Sequence, residues 1–224
     1  MPLFYLKYKI NENARVDCMT HFGSMTLDDD LADMGPDVKL IGRWNCVGDS
    51  SGFCICEASS ANVLNKWLLN WVPMATIDAS PMVDDNQARA IILKYSSPSF
   101  EFDYSNVASP AVDGASLYFI EYKFFPEKRQ AGYEHFANMS RDQDKSDAGK
   151  NTCLGRWHNL GNGSGVAVCS SKSEVDLYSW AFNWNSMCDV KFTPVVSDDE
   201  CRRNILSTKW YTSKQEPRRS WFFR

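Results

Sequence analysis

Three histidines and two arginines are the residues of this chain best placed to move a proton or hold an anion. Arg43 and Arg156 stand in a repeated signature, Gly42-Arg43-Trp44-Asn45 and Gly155-Arg156-Trp157-His158. His21 and His135 recur as His-Phe pairs, whereas His158 replaces Asn45 in the second copy alone. An arginine and a histidine facing one pocket can bind an anionic or enolic ligand and transfer a proton. His135, Arg156 and His158 are therefore the candidate catalytic set, and His21, Arg43, Trp44 and Trp157 the candidate ligand-binding set. His158 should share a strand face with Arg156, whose charge would keep the imidazole neutral. The plainer readings stay open beside these. A His-Phe pair on an amphipathic helix can be packed structure, Arg43 can be solvated or bridge two domains, and His158 can be drift at an exposed strand end.

The repeat extends well beyond the signature. At one spacing Gly52 falls on Gly165, Cys56 on Cys169, Trp67 on Trp180, Trp71 on Trp184, Pro81 on Pro194, Asp85 on Asp198 and Arg89 on Arg202. One residue of slip upstream lays LFYLKYKI on LYFIEYKF and His21-Phe22 on His135-Phe136. Such self-similarity marks a duplicated unit of roughly 95–110 residues. The expected division is 1–93 and 115–207 for the repeats, 94–114 for a Ser/Pro/aromatic linker pinned along the surface, and 208–224 for an aromatic-basic docking strap.

Each repeat reads as strand, helix, strand, strand, helix, strand. The first strand is Leu3–Ile10, and a helix from near Asn13 carries Val16, Met19, Phe22 and Met25 at helical spacing. Asp28-Asp29-Asp30 reads as a solvated acidic turn or a second short helix. Strands near 38–47 and 53–57 flank a Gly-Asp-Ser-Ser-Gly hairpin. A Ser-capped helix over 61–71, a strand over 74–83 and a short helix begun by Asp84-Asp85 complete the unit. Trp67/Trp71 and Trp180/Trp184 suit core or interface packing, and Asp85/Arg89 and Asp198/Arg202 a cap with an i,i+4 ion pair. The fold class is α+β: two ferredoxin-like βαββαβ repeats forming an intrachain pseudo-dimeric α/β barrel, since the open face of each sheet needs the other to cover it.

The strand–hairpin–strand–helix segment with Trp44/Trp157, Gly52/Gly165, Trp71/Trp184, Pro81/Pro194 and Asp85/Asp198 resembles a domain of unknown function of photosynthetic microbes, within the dimeric α/β-barrel group. PVVSDDE in the second copy fits better than PMVDDNQ in the first. The resemblance implies the barrel fold and no activity; the departure is that one chain carries both halves.

Composition narrows the function. With 44% hydrophobic and 13% aromatic residues, the 224-residue chain can build cores, and its net charge of −4 argues against nucleic acid as a partner. No apolar run is long enough to span a membrane, and the N-terminus matches the start of the second repeat, so it reads as fold and not as a leader. Of the eight cysteines only Cys56/Cys169 repeats, and Cys54 and Cys56 are wrongly aimed for a bridge. Free thiols in a reducing compartment, cytoplasm or organelle stroma, are expected. No dinucleotide fingerprint, P-loop, nucleophile elbow or zinc spacing is present. No metal or cofactor is expected, although a histidine-ligated haem is conceivable on this fold. The leading functional expectation is a noncatalytic binding or assembly module for an unknown protein or small ligand, monomeric about its internal pseudo-twofold, with further assembly open. The alternative is a cofactor-independent small-molecule enzyme, an oxygenase or isomerase, with its pocket in the second lobe.

Overall fold

The structure is a computed structural model that describes residues 1–94, Val107 and 114–208. Of the expected linker only Lys94, Val107 and Gly114 are described, and of the basic-aromatic tail only Thr208; the rest of both lies outside the described residues. The first lobe runs β1 (Leu3–Ile10), α1 (Arg15–Ser24), α2 (Leu27–Met34), β2 (Val38–Cys46), β3 (Ser51–Ala58), α3 (Ala61–Leu68), β4 (Ala75–Asp84) and α4 (Asp85–Ile92). The second repeats that order as β5 (Ser116–Phe124), α5 (Arg129–Asn138), α6 (Arg141–Ala148), β6 (Thr152–Asn159), β7 (Ser164–Ser171), α7 (Glu174–Trp184), β8 (Cys188–Ser197) and α8 (Asp198–Ser207). The acidic run 28–30 thus belongs to the second helix of the first lobe, and the second lobe has its counterpart in α6; capping boxes at Thr26 and Ser140 fix the two starts.

The eight strands close one antiparallel barrel in the order β1-β3-β2-β8-β5-β7-β6-β4. Within a lobe the ladders are long. Between lobes there are two short seams: Trp44 and Asn45 of β2 pair with Ser197 and Val196 of β8, and Trp157 and His158 of β6 pair with Asp84 and Val83 of β4. Both copies of the signature therefore sit where the lobes join.

Strand alternation sends Trp44 and Trp157 inward and Arg43 and Arg156 outward. The indoles are 0% exposed and meet across the pseudo-twofold, ring centroids 6.3 Å apart. Phe53 and Phe119 stack at 4.0 Å beside them. Val107 joins this cluster, and its carbonyl accepts from Trp44 Nε1 at 3.3 Å. The glycine of the signature is there for the tryptophan. The pairing register slips between Leu40 and Gly42 and between Cys153 and Gly155, and a Cβ on Gly42 or Gly155 would enter the indole ring two residues on. The tryptophans expected to touch ligand are instead the centre of the barrel, and the arginines beside them are not solvated.

The outer face of each sheet is covered by helices of both lobes. α1 packs on α8 and α4 on α5, so the last helix of each repeat leans on the other repeat. Arg89 of α4 donates to the carbonyls of Phe136 (2.9 Å) and Met139 (2.7 Å) at the end of α5. Arg202 of α8 does the same for Phe22 and Met25 at the end of α1. A guanidinium at a helix C-terminus satisfies orphan carbonyls and opposes the helix dipole. Arg202 pairs with Asp30 at 2.8 Å, while Asp85–Arg89 stands at 3.9 Å. The capping side chains of α4 and α8 are Asp84 and Ser197, one residue ahead of the expected caps. That frees Asp85 and Asp198 for another task. Val16, expected on the buried stripe of α1, is exposed; Cys18, Met19 and Phe22 fill it.

Gly155→Ala should overpack the Trp157 ring and cost about 1–3 kcal/mol in urea unfolding. The smaller ring of Trp157→Phe in the same chain should recover part of that loss. An unchanged midpoint in the single variant would refute this role for the glycine.

Candidate functional site

Each lobe holds an apolar cavity between the outer face of its sheet and its helices, of about 80 Å³ in the first and about 70 Å³ in the second. The second is bounded by Tyr122, Arg156 and His158 from the strands, Phe136 from α5, and Trp180 and Trp184 from α7. In the first, Tyr8, Arg43, Asn45, Phe22, Trp67 and Trp71 occupy the equivalent places.

The polar corner of the second cavity is one continuous chain of hydrogen bonds. Tyr122 Oη lies 2.5 Å from His158 Nδ1, and His158 Nε2 lies 2.7 Å from Asp85 Oδ1. An ionised carboxylate can only accept, so Nε2 carries the proton and Nδ1 accepts from the tyrosine. Burial opposes ionisation of Asp85, yet Arg156 and His158 outweigh it and hold the carboxyl well below the usual range. Burial lowers the His158 pKa below its ordinary value, more than Asp85 raises it, with Arg156 and Arg89 adding to the depression. The imidazole is neutral, as its place beside Arg156 implied, though burial is the larger cause. At 3% exposure it is no exposed strand end.

Asp85 comes from the other lobe. The β4–β6 seam ends at Asp84, so the first residue of α4 falls directly onto β6. There Asp85 also accepts from Arg156 Nε (2.9 Å) and Nη2 (2.7 Å), while Asp144 of α6 accepts from Nη1 (3.0 Å) and Nη2 (3.1 Å). The first lobe mirrors this with Asp198 and Asp30 on Arg43. Each guanidinium is bracketed by two carboxylates, one from each lobe, with Arg89 or Arg202 close by. Each corner therefore sums to no net charge, and neither Arg43 nor Arg156 is left to grip an anionic ligand. That corrects the expected arginine role. Asp30, expected on a solvated face, is 3% exposed.

In the first lobe Asn45 takes the histidine's place. Its Oδ1 accepts from Tyr8 (2.6 Å) and its Nδ2 donates to Asp198 (3.0 Å). The hydrogen-bond pattern is the same, but an amide cannot take up a proton near neutral pH.

The remaining expected residues lie outside the cavities. His21 and His135 are exposed and rest against Trp71 and Trp184, at 6.0 and 5.4 Å between centroids. The helix presents the neighbouring phenylalanine inward instead, so His135 does not meet Arg156 and His158. A haem fits poorly. Both ring nitrogens of His158 are engaged, the other two histidines face solvent, and cavities of this size exclude a porphyrin. Among the described residues no group of three or more His, Cys, Asp or Glu is placed to hold a metal ion. No disulfide joins the eight cysteines.

The carboxylates and tyrosines of the site escaped the sequence reading although the repeat carried them. Tyr8/Tyr122, Asp30/Asp144 and Asp33/Asp147 recur at the same spacing as His21/His135. Asp147 accepts from both Trp180 (2.9 Å) and Trp184 (2.7 Å), and Asp33 from both Trp67 and Trp71 (2.8 Å each). These paired indoles are cavity walls pinned by one carboxylate. Gly52 and Gly165 serve the tyrosines, since a Cβ there would strike the hydroxyl of Tyr8 or Tyr122.

A family model described as a domain of unknown function, DUF3303, matches residues 2–96 and again 116–208. No curated protein sequence matches the chain. Among solved structures it is similar to a variant of chlorite dismutase from Candidatus Nitrospira defluvii, at TM-score 0.51 and 9% identity over 91% of this chain and 94% of that one. It is also similar to a protein described as a chlorite dismutase, TA0507, at TM-score 0.52 and 8% identity over 91% and 99%. A protein described as a monooxygenase from Lactobacillus acidophilus NCFM gives TM-score 0.48 at 10% identity over 88% and 94%. The likeness to the two chlorite dismutase structures shows the dimeric α/β-barrel fold and, at such low identity, hands over no residue.

His158 should leave a signature in stability. Unfolded, it protonates near its ordinary value of 6.5; folded, its pKa is depressed, so below about pH 6.5 the unfolded state binds the extra proton. Stability relative to His158→Asn should fall as pH drops from 7 toward 5, by up to about 1.4 kcal/mol per pH unit until the folded pKa is reached. Urea unfolding of both proteins at pH 7, 6 and 5 measures the difference. A pH-independent difference would show that the histidine is not held neutral.

Proposed function

The chain belongs to the DUF3303 family as a tandem pair of its domains, and for it we propose a cofactor-independent enzyme that works on a small molecule in the second lobe. The observation that carries this reading is the buried Tyr122–His158–Asp85 chain at the polar corner of an apolar cavity. A neutral imidazole oriented by a carboxylate is a general base in waiting. A substrate with an acidic C–H or O–H against Tyr122 Oη would give its proton to that oxygen as the tyrosine's own proton passes to His158 Nδ1. The imidazolium so formed would face Asp85. Burial pushes the Tyr122 hydroxyl well above its usual pKa, so the transfer must be concerted, without a free phenolate. The resulting carbanion or enolate is the common first product of an isomerase, which returns the proton elsewhere, and of an oxygenase, which passes the carbanion to dioxygen. Arg156 acts here as a positioning residue that fixes Asp85. That solved proteins of this fold bear the name chlorite dismutase agrees with a catalytic use of the barrel and assigns no residue.

The noncatalytic binding or assembly module keeps one observation in its favour. Val175, Tyr178 and Phe182 form a stripe on α7, 74%, 65% and 72% exposed, where the first lobe has Asn62, Asn65 and Leu69. Scattered apolar exposure is ordinary, but a helical stripe gained in one lobe suits contact with another protein.

Proton abstraction can be tested without the natural substrate. In D2O the protein should accelerate exchange of the α-hydrogens of a neutral ketone such as 2-indanone, followed by proton NMR. His158→Asn should remove about a hundred-fold or more of that acceleration, and Tyr122→Phe should lower it as well. Equal rates for the protein and its His158→Asn variant would overturn the enzyme reading.

A further inference from the structure

We propose that the cavity of the first lobe is a second ligand site, binding the same neutral and mainly apolar class of molecule as the second lobe without turning it over. The inference rests on the reading of the second lobe given above. Two observations carry it: a cavity kept at one size while its walls changed, and a polar corner kept in hydrogen bonding but stripped of its base.

An empty apolar cavity lowers stability in proportion to its volume, so a disused one is expected to fill. Here the walls have diverged in compensating directions. Ile10 and Ala75 of the first lobe face the cavity where the second has the larger Phe124 and Cys188. Cys54 and Leu68 stand where the second has the smaller Ala167 and Ala181. After these exchanges the cavities still measure about 80 and about 70 Å³. Neither has closed.

The polar corner sets the ligand class. The charges of Arg43, Arg202, Asp30 and Asp198 sum to zero, as do those of Arg156, Arg89, Asp85 and Asp144. Among the described residues a buried carboxylate ligand would find no uncommitted cation in either corner, and it would lie close to two aspartates. A neutral molecule with one hydroxyl or carbonyl can meet Tyr8 or Tyr122 and rest its apolar body against the paired tryptophans. Asn45 holds Tyr8 and Asp198 as His158 holds Tyr122 and Asp85. It offers no site for an abstracted proton, so binding in the first lobe stops at binding.

The two tryptophan pairs supply lobe-specific reporters, because their indole N–H groups donate to Asp33 in one lobe and Asp147 in the other. In nitrogen-15 correlation spectra of the full chain, Trp71→Phe and Trp184→Phe assign the signals. The neutral probe 4-fluorophenol should shift both pairs saturably, and 4-fluorobenzoate neither. Ala75→Phe, or Leu68→Trp from the helix side, should abolish the response of Trp67 and Trp71 and leave that of Trp180 and Trp184. Ketone exchange should be absent in His158→Asn while probe binding to both lobes persists, and Asn45→His in that background should restore exchange at least tenfold. Shifts confined to Trp180 and Trp184 would overturn the inference and leave the enzyme reading standing. Shifts in neither pair, or shifts at Trp67 and Trp71 that survive both filling variants, would overturn it too. Equal binding of the benzoate would overturn the ligand class. Loss of exchange in His158→Asn that Asn45→His fails to restore would overturn the claim that the missing base alone silences the first lobe.

Discussion

Two aspartates exchanged between the lobes hold the rest of the structure in place. Asp85 leaves the first repeat to sit on Arg156, and Asp198 leaves the second to sit on Arg43. Both arginines are buried, so a lobe without its neighbour would keep one carboxylate against its guanidinium and lose the other. Removing one partner of a buried ion pair costs about 3–5 kcal/mol, mostly because the remaining charge stays in a poor solvent. The seams in the barrel wall are only two residue pairs long. They nonetheless deliver the carboxylates, because the strand that forms each seam turns straight into the helix that begins with the aspartate. Assembly of the barrel and assembly of the polar corners are one event.

The same arrangement explains a residue pattern that looks redundant in sequence. Tryptophan and arginine must be adjacent so that one fills the barrel and the other leaves it, glycine must precede them to clear the ring, and position four must bridge tyrosine to aspartate. Every residue of the signature is thus accounted for by a different neighbour. What differs between the lobes is the bridge, Asn45 or His158, inside a frame built for folding.

Much of this was legible in the chain. The duplication and the alternation in LFYLKYKI required two sheets that cover one another, and the glycine-bounded hairpins at 48–52 and 161–165 marked the centre of each lobe. Adjacent arginine and tryptophan on a strand must face opposite ways, which allows a domain-bridging arginine. What could not be read was the partner, because Asp85 and Arg156 are brought together by strand pairing between repeats, which local periodicity does not encode. Asp85 looked like a cap because it follows Asp84 at a helix start, and local chemistry cannot tell which of two aspartates the tertiary fold will claim. His135 misled for the opposite reason: its recurrence reflected contact with a cavity-wall tryptophan, on the far side from the cavity.

Fusion into one chain permits what a symmetric dimer would forbid. Lys7 and Glu121 are equivalent positions of the two repeats, and they meet each other across the pseudo-twofold at 2.7 Å. In a homodimer either residue would face its own copy, and like charges so close repel. As a partly exposed pair it contributes at most about 1 kcal/mol, but its sign selects pairing of unlike halves over pairing of like ones. Tyr5 and Phe119, also equivalent, stack beside it at 5.8 Å with the symmetry broken in the same way. In one chain a change at position four of the signature likewise need not appear twice. His158 carries a titratable bridge where Asn45 has a neutral amide, and each lobe still depends on the other's aspartate. The polar bridge can differ between the lobes for the same reason that the axis does: the two halves are separate stretches of one chain.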